Sequence, residues 1–103
     1  MSRDPSLVNG RRLEELVPEI LAEVLVVSRE EVRPGAALIR DLGAESIDFM
    51  DLVFRLEDAL GTPIPYTRWQ RFLETRLPGA DLSAAITPEL VQAFAAEEME
   101  QAT

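Results

Sequence analysis

The most informative segment of the chain is DLGAESIDFMDLVFRLEDALG, which spans residues 41–61. From Ser46 onward, apolar residues recur at spacings of three and four, which is the period of an α-helix with one buried face. The residues predicted to form that buried face are Phe49, Leu52, Val53, Leu56 and Leu60. Gly61 suits the end of this helix, because glycine adopts a left-handed backbone conformation at little steric cost. We therefore predict a helix that begins at Ser46 and ends near Gly61.

The same helix carries a second apolar line that cannot also point into the core. Ile47, Met50 and Phe54 lie roughly 100 to 160 degrees from the buried face, at the ~100 degrees per residue of an α-helix. The carboxylates that border this line are Glu45, Asp48, Asp51, Glu57 and Asp58. An exposed apolar strip bordered by charge is typical of a surface that docks protein partners. We refer to these eight residues as the partner face.

Three more helices are predicted from the rest of the chain. The first spans residues 13–27 and has Pro18 inside it, so we expect a bend, an early irregular turn or a later helix start there. Its apolar stripe consists of Leu13, Leu16, Val17, Ile20, Val24 and Val27. The third ends before Pro78, and its apolar residues are Trp69, Phe72, Leu73 and Leu77. The fourth begins at Thr87-Pro88, where threonine suits the cap and proline the first helical position.

A long loop is expected between the first two helices, because Arg33-Pro34-Gly35 interrupts the helical pattern. The apolar residues available to pin this loop onto the core are Leu38, Ile39 and Leu42. No segment shows the alternation of a β-strand, so the predicted fold is all-α, a small antiparallel four-helix bundle. Residues 1–9 are interpreted as a flexible leader and residues 10–103 as one domain.

The composition excludes several classes of chemistry. The 103 residues contain no histidine, cysteine or lysine, which removes disulfides, thiolate chemistry and the usual zinc and iron ligands. A formal charge of −9 argues against nucleic acid and anionic membranes as partners, and it favours basic proteins. No apolar stretch suits a signal peptide or a stable membrane insertion, so we expect a soluble cytoplasmic protein. We also expect this protein to be a monomer.

Residues 41–43, Asp-Leu-Gly, and residues 45–48, Glu-Ser-Ile-Asp, resemble the attachment motif of acyl carrier proteins, Asp-Leu-Gly-x-Asp-Ser-Leu-Asp. Glu45 and Ile47 depart from the usual aspartate and leucine but preserve charge and apolarity. The resemblance implies an acyl-carrier bundle in which Ser46 carries 4′-phosphopantetheine, with no catalytic residue and no metal. It also implies a phosphopantetheinyl transferase that uses coenzyme A, and acyl-loading, elongating or acyltransferase enzymes with basic docking patches.

A weaker resemblance points to one branch of that family. Residues 48–54, Ile64-Pro65 and Trp69 are similar to the carriers that bring very long acyl chains to lipid A. This implies a role in fatty acid or lipid biosynthesis, with an extended third-helix region, Tyr66 to Ala85. We hypothesise that this region enlarges or covers the mouth of an acyl cavity. That region is locally basic through Arg68, Arg71 and Arg76. Trp69 is expected to pack in the core or lid rather than to contact an acyl chain directly.

Other interpretations of the same residues stay open at this stage. Ser46 also suits a simple helix N-cap, in which case the bundle only binds protein partners through Ile47, Met50 and Phe54. A carrier in polyketide or other secondary metabolism shares the same physics. The carboxylates at positions 41, 45, 48 and 51 suggest weak divalent binding, but they lack EF-hand spacing and a solvated acidic face is favoured. An enzyme is disfavoured, because nothing near Ser46 activates its hydroxyl.

Overall fold

The computed structural model describes residues 7–8 and 11–101, with side chains from residue 11 onward. Its α-helices are α1 (Leu13–Leu25), α2 (Ser46–Leu60), α3 (Tyr66–Arg76), α4 (Leu82–Ala85) and α5 (Pro88–Gln101). A 3₁₀ turn covers Arg29–Glu31, and two two-residue strands, β1 (Leu7–Val8) and β2 (Arg11–Arg12), pair antiparallel. The predicted helical bundle is confirmed. Most of the predicted leader, residues 1–9, lies outside the described residues, so that division of the chain stays a prediction.

The core joins α1, α2 and α5, as the apolar stripes predict. Val17, Leu56 and Val91, one from each helix, are completely buried. α1 continues without interruption through Pro18, so the predictions of an irregular turn or a later start are wrong. The long loop is pinned as predicted, since Leu38 is completely buried within it.

The prediction of four helices is wrong in one respect, because the short helix α4 lies between α3 and α5. The Asp81 carboxylate caps α4 by accepting hydrogen bonds from the Ser83 backbone N–H at 3.1 Å and the Ser83 hydroxyl at 2.6 Å. These bonds, the hydroxyl one foremost, hold the pKa of Asp81 below its usual value. The Leu38 N–H donates to the Ile86 carbonyl at 2.9 Å, and the Arg40 N–H to the Ser83 carbonyl at 3.1 Å. α4 therefore anchors the long loop.

Val26 lies directly after α1 in the left-handed conformation, with φ 54° and ψ 50°. This conformation is costly for a β-branched residue, and a side chain that is 88% exposed regains little of the cost through packing. We expect Val26→Gly to raise the free energy of unfolding by about 0.5–1 kcal/mol, because glycine relieves the strain. Urea denaturation measures the change, with Val26→Ala as the control that keeps a Cβ atom. A loss of stability in Val26→Gly would contradict the assignment of strain.

Candidate functional site

Ser46 is the first residue of α2 and not its cap. The cap is Glu45, whose backbone is extended and whose N–H donates to the Asp48 carboxylate at 2.8 Å. Ser46 is exposed, and within residues 11–101 its hydroxyl makes no hydrogen bond. The interpretation of Ser46 as a simple N-cap is therefore wrong, since a neighbouring residue takes that position. The Ser46 hydroxyl is left accessible at the positive end of a 15-residue helix.

The other described serines differ from Ser46 in this respect. The Ser28 hydroxyl donates to the Glu31 carboxylate at 3.2 Å, and the Ser83 hydroxyl donates to Asp81 at 2.6 Å. Both hydroxyls therefore serve local structure at the start of a helical turn. Among the serines at positions 28, 46 and 83, only Ser46 presents a hydroxyl without a protein partner in the described part of the chain.

The loop before Ser46 is shaped by Asp41 and Gly43. The Asp41 carboxylate accepts a hydrogen bond from the Ala37 backbone N–H at 3.0 Å. This bond is the main reason that the pKa of Asp41 lies below its usual value, against an opposing effect of desolvation. Gly43 adopts φ 73°, which other residues rarely adopt, and the space around it is open. Asp41 thus stabilises the loop, and residues 11–101 contain no group of three or more acidic side chains placed to hold a metal ion.

The second apolar line of α2 is exposed, as predicted. Ile47 is 68% exposed, Met50 56% and Phe54 66%, although each is a large apolar side chain. The buried face of the same helix is confirmed at Phe49, Leu52, Val53 and Leu56, and Leu60 is half-buried. Keeping three large apolar groups in water on one helix has no benefit for the fold itself.

The carboxylates of the partner face have different surroundings. Glu57 accepts a backbone N–H from the connection between α2 and α3 at 2.7 Å, so it stabilises that turn. Asp48 closes the first turn of α2, as described above, and Asp51 pairs with Arg55 at 3.3 Å. Asp58 is exposed and, within residues 11–101, has neither an ion pair nor a hydrogen bond from its side chain. Only part of the predicted acidic border is therefore free to meet a partner.

An apolar cavity of about 580 Å³ opens beside Ser46. Its walls come from the start of α2, from α3, from the turn that follows α3 and from α4. Apolar and aromatic side chains that line it include Phe49, Tyr66, Trp69, Leu73, Leu77 and Leu82. Burial against this lining raises the pKa of the Tyr66 hydroxyl. The volume lies in the usual range of small-molecule sites, and the region predicted as an extended third helix supplies much of the wall.

Trp69 is one of the residues that line this cavity, and it is the centre of an aromatic cluster. Its ring stacks on Phe49 at a centroid distance of 5.8 Å and on Phe72 at 6.0 Å. Phe94 of α5 meets it edge-on at 5.1 Å. Only 1% of Trp69 is exposed. The expected packing role of Trp69 is confirmed, and the residue also lines the cavity.

Two of the three arginines of α3 pair with α5 and are not free. Arg68 contacts the Glu98 carboxylate at 3.1 Å, and Arg76 contacts Glu97 at 2.7 Å. Glu98 is buried, and the sequence analysis missed it. Its position four residues after Phe94 and seven after Val91 indicates the buried face of α5, which is the signal that was available. Two of the three arginines that make α3 basic, Arg68 and Arg76, thus attach α3 to α5.

Comparison with known proteins shows the family to which this chain belongs. The family model described as "Phosphopantetheine attachment site" matches residues 15–68, which include Ser46 and all of α2. The acyl carrier protein AcpXL of Brucella melitensis is 38% identical over 63 residues, which cover 60% of this chain and 68% of that relative. The chain belongs to the acyl carrier protein family.

Further acyl carrier proteins match over similar lengths. AcpXL of Rhizobium meliloti is 40% identical over 53 residues, covering 52% of this chain and 56% of the relative. The acyl carrier protein of Nitratidesulfovibrio vulgaris is 38% identical over 64 residues, covering 62% of this chain and 84% of the relative. The predicted family, carrier function and 4′-phosphopantetheine cofactor are confirmed. Within the described residues, none of the helices is long and apolar enough to cross a membrane.

The site suits this cofactor on its own geometry. An accessible hydroxyl at the start of a helix lies where unpaired backbone N–H groups favour the negative charge of a phosphodiester, by about 0.3–1 kcal/mol in exposed cases. The adjoining cavity offers apolar surface to whatever the cofactor carries. When bound, phosphopantetheine supplies a terminal thiol, which this cysteine-free chain cannot supply. Members of the acyl carrier protein family are non-catalytic carriers.

Proposed function

We propose that Ser46 is the attachment site and that the chain is a substrate of a phosphopantetheinyl transferase. The observation that carries the proposal is the unpartnered, exposed Ser46 hydroxyl at the first position of α2. In the transfer, the serine oxygen forms a bond to the phosphorus of coenzyme A that bears pantetheine, and the adenosine bisphosphate leaves. The transferase is proposed to supply the base that removes the serine proton, because no carboxylate within residues 11–101 accepts a hydrogen bond from the Ser46 hydroxyl and the chain has no histidine, cysteine or lysine.

Peptide mapping tests this assignment among the five serines of the chain. Trypsin cleavage after Arg40 and Arg55 releases residues 41–55, in which Ser46 is the only hydroxyl-bearing residue. After incubation with coenzyme A and a broad-specificity transferase, this peptide is expected to carry the added phosphopantetheine mass. Modification of a peptide that contains Ser28 or Ser83 instead would contradict the assignment.

The cavity beside Ser46 is proposed to hold the proximal part of the acyl chain. Burial of each methylene contributes about 0.8 kcal/mol, so eight of them contribute of order 6 kcal/mol before reorganisation costs. A cavity of about 580 Å³ does not enclose a very long chain, so the distal part must lie outside it. α3, the turn after it and α4 form the wall that a bound chain contacts.

The proposed pathway is lipid biosynthesis with a long acyl group, including the lipid A branch that the sequence resembles. Two of the relatives reported above are named AcpXL, which supports a place in that branch. The alternative is a carrier that holds the acyl groups of polyketide or other secondary metabolism. The proposed setting is the cytoplasm, where coenzyme A and acyl-handling enzymes meet the carrier.

The partner face is proposed to dock the transferase and the acyl-handling enzymes. Ile47, Met50 and Phe54 supply apolar contact, and the carboxylates around them attract basic residues on the enzymes. Attraction between exposed charges raises the rate of encounter and weakens as salt is added. Docking at this face brings an enzyme next to Ser46, which begins the same helix.

We expect Asp58→Lys to slow modification by the transferase about threefold to tenfold in kcat/KM at low ionic strength, with little effect in high salt. Asp58 is the sharpest choice because its exposed carboxylate has no partner within residues 11–101. Asp48→Lys is expected to slow modification too, but it also removes the carboxylate that closes the first turn, at about 1 kcal/mol. Kinetics over a salt series measure the effect.

The matched control is Glu30→Lys. It makes the same change in net charge at an exposed position in the 3₁₀ turn, which is not part of the partner face. Its kcat/KM is expected to stay near that of the wild type. Equal kinetics of Asp58→Lys and the wild type at low salt, or equal slowing by Glu30→Lys, would count against a role of the partner face.

A further inference from the structure

Arg55 is the single basic residue of α2, and it lies within the acidic border of the partner face. Its Nε donates to both carboxylate oxygens of Asp51 at 3.3 Å. Its Nη1 donates to the Glu23 carboxylate of α1 at 2.9 Å. The Arg55 side chain is 40% exposed, so these contacts form at the surface and within reach of a docked protein. One guanidinium thus partners two carboxylates that would otherwise add negative charge to the middle of this surface.

The two ion pairs contribute little to the stability of the fold, because an exposed ion pair typically adds only about 0–1 kcal/mol to the free energy of unfolding. Their effect on the surface field is larger, since a positive charge held against Asp51 cancels its attraction for an approaching basic group. The partner face is thereby divided into two anionic ends. Glu45 and Asp48 lie at the Ser46 end, and Asp58 lies at the other, about 15 Å from Asp48 along the axis at the 1.5 Å rise of a helix.

We propose that Arg55 determines which proteins bind the partner face. The partners that it favours carry two separate basic clusters about 15 Å apart and no cation opposite Asp51. This inference rests on the proposed function, because the partners are the enzymes that modify and load the carrier. Arg55 acts by weakening the attraction of the middle of α2 for proteins of general basic character. Specificity of this kind arises by disfavouring wrong partners as well as by favouring right ones.

The test compares Arg55→Gln with Arg76→Gln as substrates of a broad-specificity phosphopantetheinyl transferase. Both variants change the net charge from −9 to −10, and both remove an arginine from a surface ion pair. Arg76 pairs α3 with Glu97 of α5, and neither residue belongs to α2 or to the partner face. We expect kcat/KM of Arg55→Gln to rise about twofold to fivefold at low ionic strength, and the gain to disappear in high salt. We expect no gain for Arg76→Gln.

A double variant identifies the charge responsible. Asp51→Asn combined with Arg55→Gln is expected to lose most of the gain, because the carboxylate that Arg55 had neutralised is then absent. A rate for Arg55→Gln equal to or below that of the wild type, or an equal gain for Arg76→Gln, would overturn the inference while leaving the carrier function in place. A wild-type chain that accepts no phosphopantetheine, beside an active control carrier, would overturn both. Thermal unfolding of each variant shows that a rate change does not come from loss of the fold.

Discussion

Ser46→Ala is expected to accept no phosphopantetheine while it folds as stably as the wild type. The loss of loading is expected to be complete, because the hydroxyl oxygen is the atom that would carry the phosphodiester. The free energy of unfolding is expected to change by less than about 0.5 kcal/mol, since the exposed hydroxyl makes no hydrogen bond in the described part of the chain. A bundle that used Ser46 only as a cap would instead lose about 1 kcal/mol.

Ser83→Ala is the matched control for this change. Its hydroxyl donates to Asp81 at the start of α4, so the variant is expected to lose about 0.5–1.5 kcal/mol of stability and to load normally. Ser46→Ala is therefore expected to lose loading but keep its stability, whereas Ser83→Ala is expected to lose stability but keep its loading. Intact mass measures loading, and urea denaturation measures stability. Full loading of Ser46→Ala at another serine would contradict the assignment of the site.

Trp69→Ala is expected to lower the free energy of unfolding by about 3–5 kcal/mol. Trp69 is 1% exposed and packs on three phenylalanines, so truncation leaves a large void at the centre of the aromatic cluster. A loss of this size is a large part of the 5–15 kcal/mol that is typical of whole domains. Urea denaturation is again the measurement. A loss below 1 kcal/mol would contradict the central packing role of Trp69.

Trp69→Phe tests the role of the cavity without the large loss of stability expected of Trp69→Ala. It retains an aromatic ring in the cluster but shortens a side chain that lines the cavity. In chains loaded with acyl groups of increasing length, the rate of thioester cleavage by hydroxylamine reports how far the chain protects its cargo. We expect Trp69→Phe to shift the chain length at which protection is greatest.

Phe94→Leu is the control for this measurement, because Phe94 packs edge-on against Trp69 but does not line the cavity. It is expected to lower stability without shifting the chain-length dependence. Unchanged protection at every chain length in Trp69→Phe would count against the acyl role of the cavity.

Helical periodicity predicted the long elements and both faces of α2. The exposure of Ile47, Met50 and Phe54 followed from their angular separation from the buried face, which needs no tertiary information. The four residues of α4 are too few to show a period, so that helix was missed. The start of α2 at Ser46 was predicted correctly, but the alternative role of Ser46 as a cap could not be decided from the sequence, because only the backbone conformation shows that Glu45 is the cap.

The long-range ion pairs and the cavity could not be predicted from the sequence. Arg55 and Glu23 lie 32 positions apart, and Arg68 and Glu98 lie 30 apart, so no local pattern joins them. The cavity wall combines segments from four parts of the chain, and its volume depends on how they pack. The sequence did indicate an extended third-helix region from Tyr66 to Ala85, and the structure places much of that region in the cavity wall.

The most direct test of the carrier role is the intact mass of the wild-type chain after incubation with coenzyme A and a broad-specificity phosphopantetheinyl transferase. We expect a gain equal to one phosphopantetheine per chain, with no second addition. The absence of any gain, under conditions in which a control carrier is fully modified, would contradict the carrier role.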